Sequence, residues 1–350
     1  MLLRCRAIRM FRVICAVLAL GSAAEWTCGQ AAGPLVDEVS AVRIVVSDLD
    51  ASERWYTQVL HFQKEGTERE VFGDEYERLE GVFGLRLREV RMTLGDEAIE
   101  LVEPMTPKGA AMPADSRSND HWFQHIAIIV SDMDKAYAEL RAHDVTYAST
   151  APQTLPAWNE NAGGIKAFYF KDPDNHVLEI LQFPSDKGNP KWHELARTMP
   201  DQVFLGIDHT AIVVSDTDTS LKFYRDVLGF TVAGGADNYG TEQEHLNNVL
   251  GAHLRITSLK PPRGPSVEFL EYLTPRDGRP FPAGARTHDI YAWQTVMEAH
   301  DLDAAERSLR ACSATFVSAD IVTLPGAASA SDRALIVRDP DGHFVRVSQR

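Results

Sequence analysis

Two histidines occupy the same place in two different stretches of this 350-residue chain. His125 and His209 each lie six residues before a Ser-Asp pair, in "HIAIIVSD" and "HTAIVVSD". Each is followed at a similar distance by a glutamate in a short alternating segment: Glu179 in "VLEILQF", 54 residues later, and Glu268 in "SVEFLEY", 59 residues later. Imidazole and carboxylate together suit a borderline divalent ion such as zinc, nickel, cobalt, manganese or iron(II). A carboxylate in such a place can also move a proton. A lone histidine on a strand is ordinarily structural. Recurrence in register, each time with a glutamate partner, singles these four residues out.

The elements that must position them also repeat. An Asp-x-Asp element occurs at Asp48/Asp50, Asp132/Asp134, Asp216/Asp218 and Asp301/Asp303. Before the first three runs a β-branched stretch, and after each comes an amphipathic segment, which reads as a strand followed by an Asp-capped helix. Each unit closes on a short period-2 strand, at 98–103, 177–183, 266–272 and 344–349. Two of these strands follow the turns "KDPDNHV" and "RDPDGHF", whose Asp-Asn and Asp-Gly steps favour tight hairpins. The chain is therefore read as α+β, four βαβββ modules, with a two-module half duplicated at an offset of about 168 residues. In the outer modules the positions matching the two histidines and glutamates hold Ala41, Glu100, Gln294 and Arg346.

Four such modules, with "HTAIVVSDTDTSLKFYRDVLGF" and "FYFKDPDNHVLEILQF" as the specific motifs, resemble the vicinal-oxygen-chelate superfamily over about residues 36–349. That group includes glyoxalase I, epimerases, extradiol dioxygenases and the bleomycin-resistance proteins. The resemblance implies two cupped mixed sheets, with domains at 36–183 and 204–349 joined by a Pro/Gly-rich linker at 184–203. It implies one divalent metal in a cup, held by a first-strand and a last-strand residue from each of two modules. Pairing neighbours leaves neither cup with a full ligand set. Pairing modules 2 and 3 across the halves gives His125, Glu179, His209 and Glu268, and leaves Ala41, Glu100, Gln294 and Arg346 in a degenerate second cup. There Arg346, or Arg43 on the same strand face as Ala41, is expected to replace the metal's charge and pair with Glu100. The implied function is a lyase or isomerase of the glyoxalase or epimerase type, stabilising an enediolate of a small vicinal-oxygen substrate, with Glu179 or Glu268 as the base. The alternatives are an extradiol-type Fe(II) dioxygenase and a non-catalytic binding protein using aromatics such as Trp122, Phe123, Trp158, Tyr239 and Trp293. His245 and Asn247, in the polar stretch 238–248, are candidate substrate contacts.

Composition bounds the partners. The formal charge of −15 and the absence of a basic patch argue against nucleic acid and anionic membrane, leaving a small-molecule substrate and a monomer or homodimer. Residues 1–31 carry four arginines, the apolar run "VICAVLALG" and the small residues "SAA". This layout is that of a secretory signal, with cleavage expected after Ala24 or Ala31, which places the mature chain in the periplasm or outside the cell. With the leader gone, Cys312 is read as a lone buried thiol.

Overall fold

The computed structural model describes residues 33–325 and 332–349. The expected leader lies outside them. Module 1 comprises β1 (Glu38–Val45), α1 (Leu49–Leu60), β2 (Gln63–Phe72), α2 (Asp74–Glu80), β3 (Arg86–Leu94) and β4 (Glu97–Thr106). Module 2 comprises β5 (Gln124–Val130), α3 (Met133–Ala142), the two-residue β6 (Thr146–Tyr147) and β7 (Gln153–Thr154), β8 (Lys166–Lys171) and β9 (Val177–Gln182). A connecting helix, α4 (Pro190–Thr198), follows. Module 3 has β10 (Phe204–Val213), α5 (Thr217–Leu221, prolonged by a π-helical turn), β11 (Thr231–Tyr239), α6 (Thr241–Asn247), β12 (His253–Lys260) and β13 (Ser266–Thr274). Module 4 has β14 (Gln294–Glu298), α7 (Leu302–Ala311), β15 (Thr315–Phe316), β16 (Val322–Thr323), β17 (Arg333–Arg338) and β18 (Phe344–Gln349). Odd modules thus carry an extra short helix, and even modules break their second strand into two stubs.

The caps explain where the module helices start. Asp48, Asp132, Asp216 and Asp301 each accept from a backbone N–H in the first turn, at 2.7–3.1 Å. This satisfies donors that a helix start otherwise leaves free. The Asp-Pro-Asp turns have a second function. Asp172 accepts from the backbone N–H groups of Asp174 and His176 and from the His176 ring, and also from the Tyr56 hydroxyl of module 1. Asp339 repeats the set with His343 and Tyr224 of module 3. Asn175 and Gly342 take the positive φ that these turns require (69° and 103°).

The sheets cross the halves. One nine-stranded sheet joins modules 1 and 4 through the antiparallel pair β1–β14, and the other joins modules 2 and 3 through β5–β10. The two largest apolar cores lie mainly within one half each, and a smaller one bridges the halves, where Phe123 and Tyr169 of module 2 meet Ala211 and Leu270 of module 3. Ile44, Ile99, Ile126, Ile180, Phe168 and the inner faces of α1 and α3 form the core of modules 1 and 2. Ile212, Phe269, Val345 and the helices of modules 3 and 4 form another. Phe204, Ile207 and Trp293 of the second half join the first of these cores, and Val36 and Val39 of the first half join the second. Alternation along the strands then decides the rest: with Ile126 and Ile128 in the core, His125 and Ala127 face the opposite side.

The linker 184–203 contains a helix, and one expectation, that for Cys312, is corrected. Asn189 caps α4, Pro190 occupies its first turn, and Trp192 is buried against Ile129, Leu181 and Leu205. Cys312 is not a free thiol but is disulfide-bonded, and its partner lies outside the described residues. Among the described residues no helix is long and apolar enough to cross a membrane.

Candidate metal centre

Strand register brings the four singled-out residues together. In the sheet of modules 2 and 3 the central strands run β13–β10–β5–β9. His209 lies opposite Ala127 and His125 opposite Ala211, while Glu179 pairs with Ala127 and Glu268 with Ala211. The two alanines leave space that larger side chains would fill, and the imidazoles and carboxylates close around it. His125 Nε2 is 3.1 Å from Glu179 Oε2, His209 Nε2 is 3.7 Å from the same oxygen, and His209 Nε2 is 3.6 Å from Glu268 Oε1. One donor atom from each of His125, Glu179 and His209 falls within a mutual 4.8 Å.

The site is buried and electrostatically divided. Burial pushes His125 down from its ordinary value, more than Glu179 raises it, which favours the neutral ring a metal ligand needs. Burial also opposes a charge on His209, but Glu268, Asp208 and Glu179 outweigh it and carry the pKa up to about 9. Burial, with Glu179 and Asp208 adding, raises Glu268. His209 Nε2 is buried without a hydrogen-bond partner. A buried group left unpaired is costly, and here the unpaired nitrogen faces two carboxylates. That donor set fits a divalent cation: His125, His209 and Glu179 would hold it, with Glu268 at its edge.

Residues not marked in the sequence support the centre. Asp208 Oδ2 is 3.1 Å from His209 Nδ1, and the Trp192 indole of α4 donates to Asp208 Oδ1 at 2.6 Å. Lys191, the next residue, pairs with Glu97, whose other oxygen accepts from the Ile207 N–H. The Tyr169 ring lies 5.0 Å from that of His125. The signal for Asp208 was its place directly before the histidine, where module 2 has Gln124.

Glu179, His209, Glu268 and Tyr169 line a cavity of ≈ 690 Å³. Its roof is the module 2 loop before β8, tied to β11 by Asn161 Nδ2 donating to the Gly235 carbonyl and Asn159 Nδ2 to Asn238 Oδ1, both at 2.6 Å. Asn238 and Gln243 form its polar wall. Asn247 stands behind them. It accepts from Gln243 and lines a neighbouring cavity of ≈ 160 Å³ instead. His245 lies exposed on α6 and reaches neither cavity. Of the candidate aromatics, Trp122, Phe123 and Trp293 are buried, while Trp158 and Tyr239 pack against each other, centroids 4.4 Å apart, each about half exposed.

The other cup is built differently. Ala41 lies opposite Val296, and Arg43 fills the space that Ala211 leaves open in the first cup. The Arg43 guanidinium is 2.9 Å from Glu89 and 3.1 Å from Glu100, with Glu80 Oε1 at 4.0 Å. Gln294 donates to Glu80 at 2.9 Å. Arg43, not Arg346, therefore meets Glu100. The reason is register: parallel pairing puts Glu100 opposite Arg43, whereas Arg346 is opposite Val296. Arg346 is 13% exposed and lies 4.0 Å from Glu80.

Comparison with known proteins agrees with this architecture. The profile of the Glyoxalase/Bleomycin resistance protein/Dioxygenase superfamily matches residues 38–180 and again 206–347. An uncharacterised protein of Bacillus subtilis (strain 168), YwbC, is 27% identical over 144 residues, 41% of this chain and 97% of the relative. Among solved structures, glyoxalase I from Zea mays superimposes with a TM-score of 0.59 at 16% identity, covering 89% of this chain and 92% of that one. A putative dioxygenase from Bacillus subtilis subsp. subtilis str. 168 superimposes with a TM-score of 0.52 at 12% identity, covering 91% and 86%. At these identities the structures speak for the fold. With both halves matched by the profile, the chain belongs to the Glyoxalase/Bleomycin resistance protein/Dioxygenase superfamily.

Proposed function

We propose that this chain is a metal-dependent lyase or isomerase acting on a small substrate with two adjacent oxygens, exported by its N-terminal segment. The observation that carries the reading is the buried His125–Glu179–His209 group, with Glu268 at 3.6 Å from His209 on the cavity side. A divalent ion bound there would supply Lewis acidity to the substrate oxygens and so acidify the adjacent C–H. The protein's own residues do the rest. His125, His209 and Glu179 hold the geometry. Glu179 lies between both imidazoles and is 5% exposed, whereas Glu268 touches only His209 and is 21% exposed to the cavity. Glu268 is thus the carboxylate free to swing, and its raised pKa suits a base that takes and returns a proton. The apolar wall of Leu181, Ile256 and Leu270 limits water around the reacting carbon.

A second reading rests on one observation: two histidines and one carboxylate are also the donor set of non-haem Fe(II) oxygenases. The test separates them. Elemental mass spectrometry of the purified chain is expected to find about one metal per chain, lost in both His125→Ala and His209→Ala and kept in Glu268→Gln. Zinc, nickel or cobalt, with NMR-detected solvent-deuterium exchange into α-hydroxyketone probes that Glu268→Gln abolishes, supports the isomerase. Iron with oxygen uptake on catechol supports the dioxygenase. A wild-type chain that takes up no metal overturns both.

A further inference from the structure

The second cup inverts the charge of the first at the equivalent place. Where the last strand of module 2 presents Glu179, that of module 4 presents Arg346, and where module 2 has His125, module 4 has Gln294. The space above it is a cavity of ≈ 350 Å³ whose charged lining is five arginines, Arg43, Arg69, Arg91, Arg333 and Arg346, against four acids, Glu65, Glu89, Glu100 and Asp332. Four of them are used. Arg43 binds Glu89 and Glu100, Arg69 donates to the Tyr76 hydroxyl, Arg91 binds Glu65 and the Ser40 carbonyl, and Arg333 binds Asp303. Among the described residues Arg346 alone of the five has no hydrogen bond, and its nearest carboxylate oxygen there, Glu80 Oε1, is 4.0 Å away. Its side chain is nonetheless only 13% exposed.

A guanidinium offers five N–H donors in a rigid fork, and that of Arg346 opens on the cavity. Of the acids on the same wall, Glu65, Glu89 and Glu100 are held by Arg91 and Arg43, and Glu100 acts on Arg346 through its charge without a hydrogen bond. Of the two Glu80 oxygens, one accepts from Gln294, and the other lies beyond hydrogen-bond reach of both Arg43 and Arg346. The fork matches the paired oxygens of a carboxylate or phosphate.

We propose that the cup of modules 1 and 4 is a metal-independent site for a small oxyanion, gripped by Arg346 with Arg69 and Arg91 on its walls. The duplicated architecture then offers an anion site where the other cup offers a candidate cation site. This inference is independent of the reading of the first cup. It is tested by isothermal titration of the full chain, stripped of metal, with inorganic phosphate and separately with succinate. One equivalent of at least one anion is expected to bind. Binding should persist in His125→Ala, which alters only the first cup, and weaken roughly tenfold or more in Arg346→Gln. Arg346→Lys, which keeps the charge and loses the fork, should fall between, and serves if the glutamine variant does not fold. Succinate alone binding marks a carboxylate site, and phosphate alone a phosphate site. No binding of either anion, undiminished binding in both Arg346 variants, or loss of binding in folded His125→Ala would each overturn the proposal.

Discussion

The Trp192 indole of the connecting helix donates to Asp208, and Asp208 in turn takes the Nδ1 side of the His209 ring. The segment between the halves therefore fixes the orientation of one candidate metal ligand. A carboxylate on the far nitrogen selects the tautomer whose Nε2 is free to bind, and makes that nitrogen a better donor. Asp208→Asn is expected to weaken zinc affinity by roughly 10- to 100-fold, and Trp192→Phe by less, since the carboxylate remains. A competition titration against a chromophoric chelator measures both. Unchanged affinity in Asp208→Asn would remove Asp208 from the centre.

Arg43 stands where the first cup has only Ala211, and it holds the buried acids of the second cup together. Burial works against its charge, but Glu89, Glu80 and Glu100 more than compensate, so it stays cationic. Burial likewise opposes ionisation of Glu100, and Arg43, Arg346 and Arg91 outweigh it. Removing one partner from such a cluster leaves the others uncompensated. Arg43→Ala is expected to cost about 3–5 kcal/mol in urea unfolding while leaving metal content unchanged. A variant as stable as wild type would mean that water, not Arg43, satisfies Glu89 and Glu100. The missing histidine of module 1 has its explanation here: with Ala41 beside Arg43, this cup carries its positive charge covalently.

What the sequence made legible was whatever had been copied. The four Asp caps, the four closing strands and the His/Glu positions recur at fixed offsets, so each instance supports the others. Contacts that depend on cross-strand register do not recur. Both Arg43 and Arg346 were visible as cations near Ala41 and Glu100, but only the pairing of β1 with β4 decides which of them meets Glu100. His245 and Asn247 are two positions apart on α6, yet one is exposed and the other buried, since a helix turns such neighbours to different faces. Trp192 was hidden by composition. The stretch 184–203 reads as a linker, although "NPKWHEL" contains an Asn cap followed by Pro, a helix start.

Cys312 bears on processing. It is 4% exposed and disulfide-bonded, and the other cysteines of the chain are Cys5, Cys15 and Cys28. Cleavage after Ala31 would remove all three, whereas cleavage after Ala24 keeps Cys28. An oxidising destination also suits a stable bridge. A mature chain that keeps a bridge to Cys312 must retain another cysteine, so it is expected to begin at Glu25, with Cys312 in a cross-linked peptide of a non-reducing digest. A mature chain beginning at Ala32 with a free Cys312 thiol would contradict this.

The Asp-His turns give the fold a pH dependence whose sign follows from geometry. His176 sits between two acceptors, Asp172 Oδ2 at 2.8 Å from Nδ1 and the Ile290 carbonyl at 2.7 Å from Nε2, a setting that favours the imidazolium, which can donate to both. Burial lowers its pKa, but Asp172, the Ile290 carbonyl and Asp174 raise it further than that, and the net shift is upward. His343 is also raised, mainly by Asp339 against burial. A group whose folded pKa exceeds its unfolded value, about 6.5 for histidine, stabilises the fold fully below that value. The contribution fades as pH rises through the folded pKa. Urea midpoints should therefore fall between pH 6 and more alkaline buffer, and the fall should shrink in His176→Gln, which is neutral at every pH. The same variant is expected to lose about 1–3 kcal/mol at pH 6, since Asp172 and the Ile290 carbonyl lose a charged donor. A wild-type midpoint independent of pH across this range, or a slope unchanged by the substitution, would show that His176 does not carry a proton in the fold.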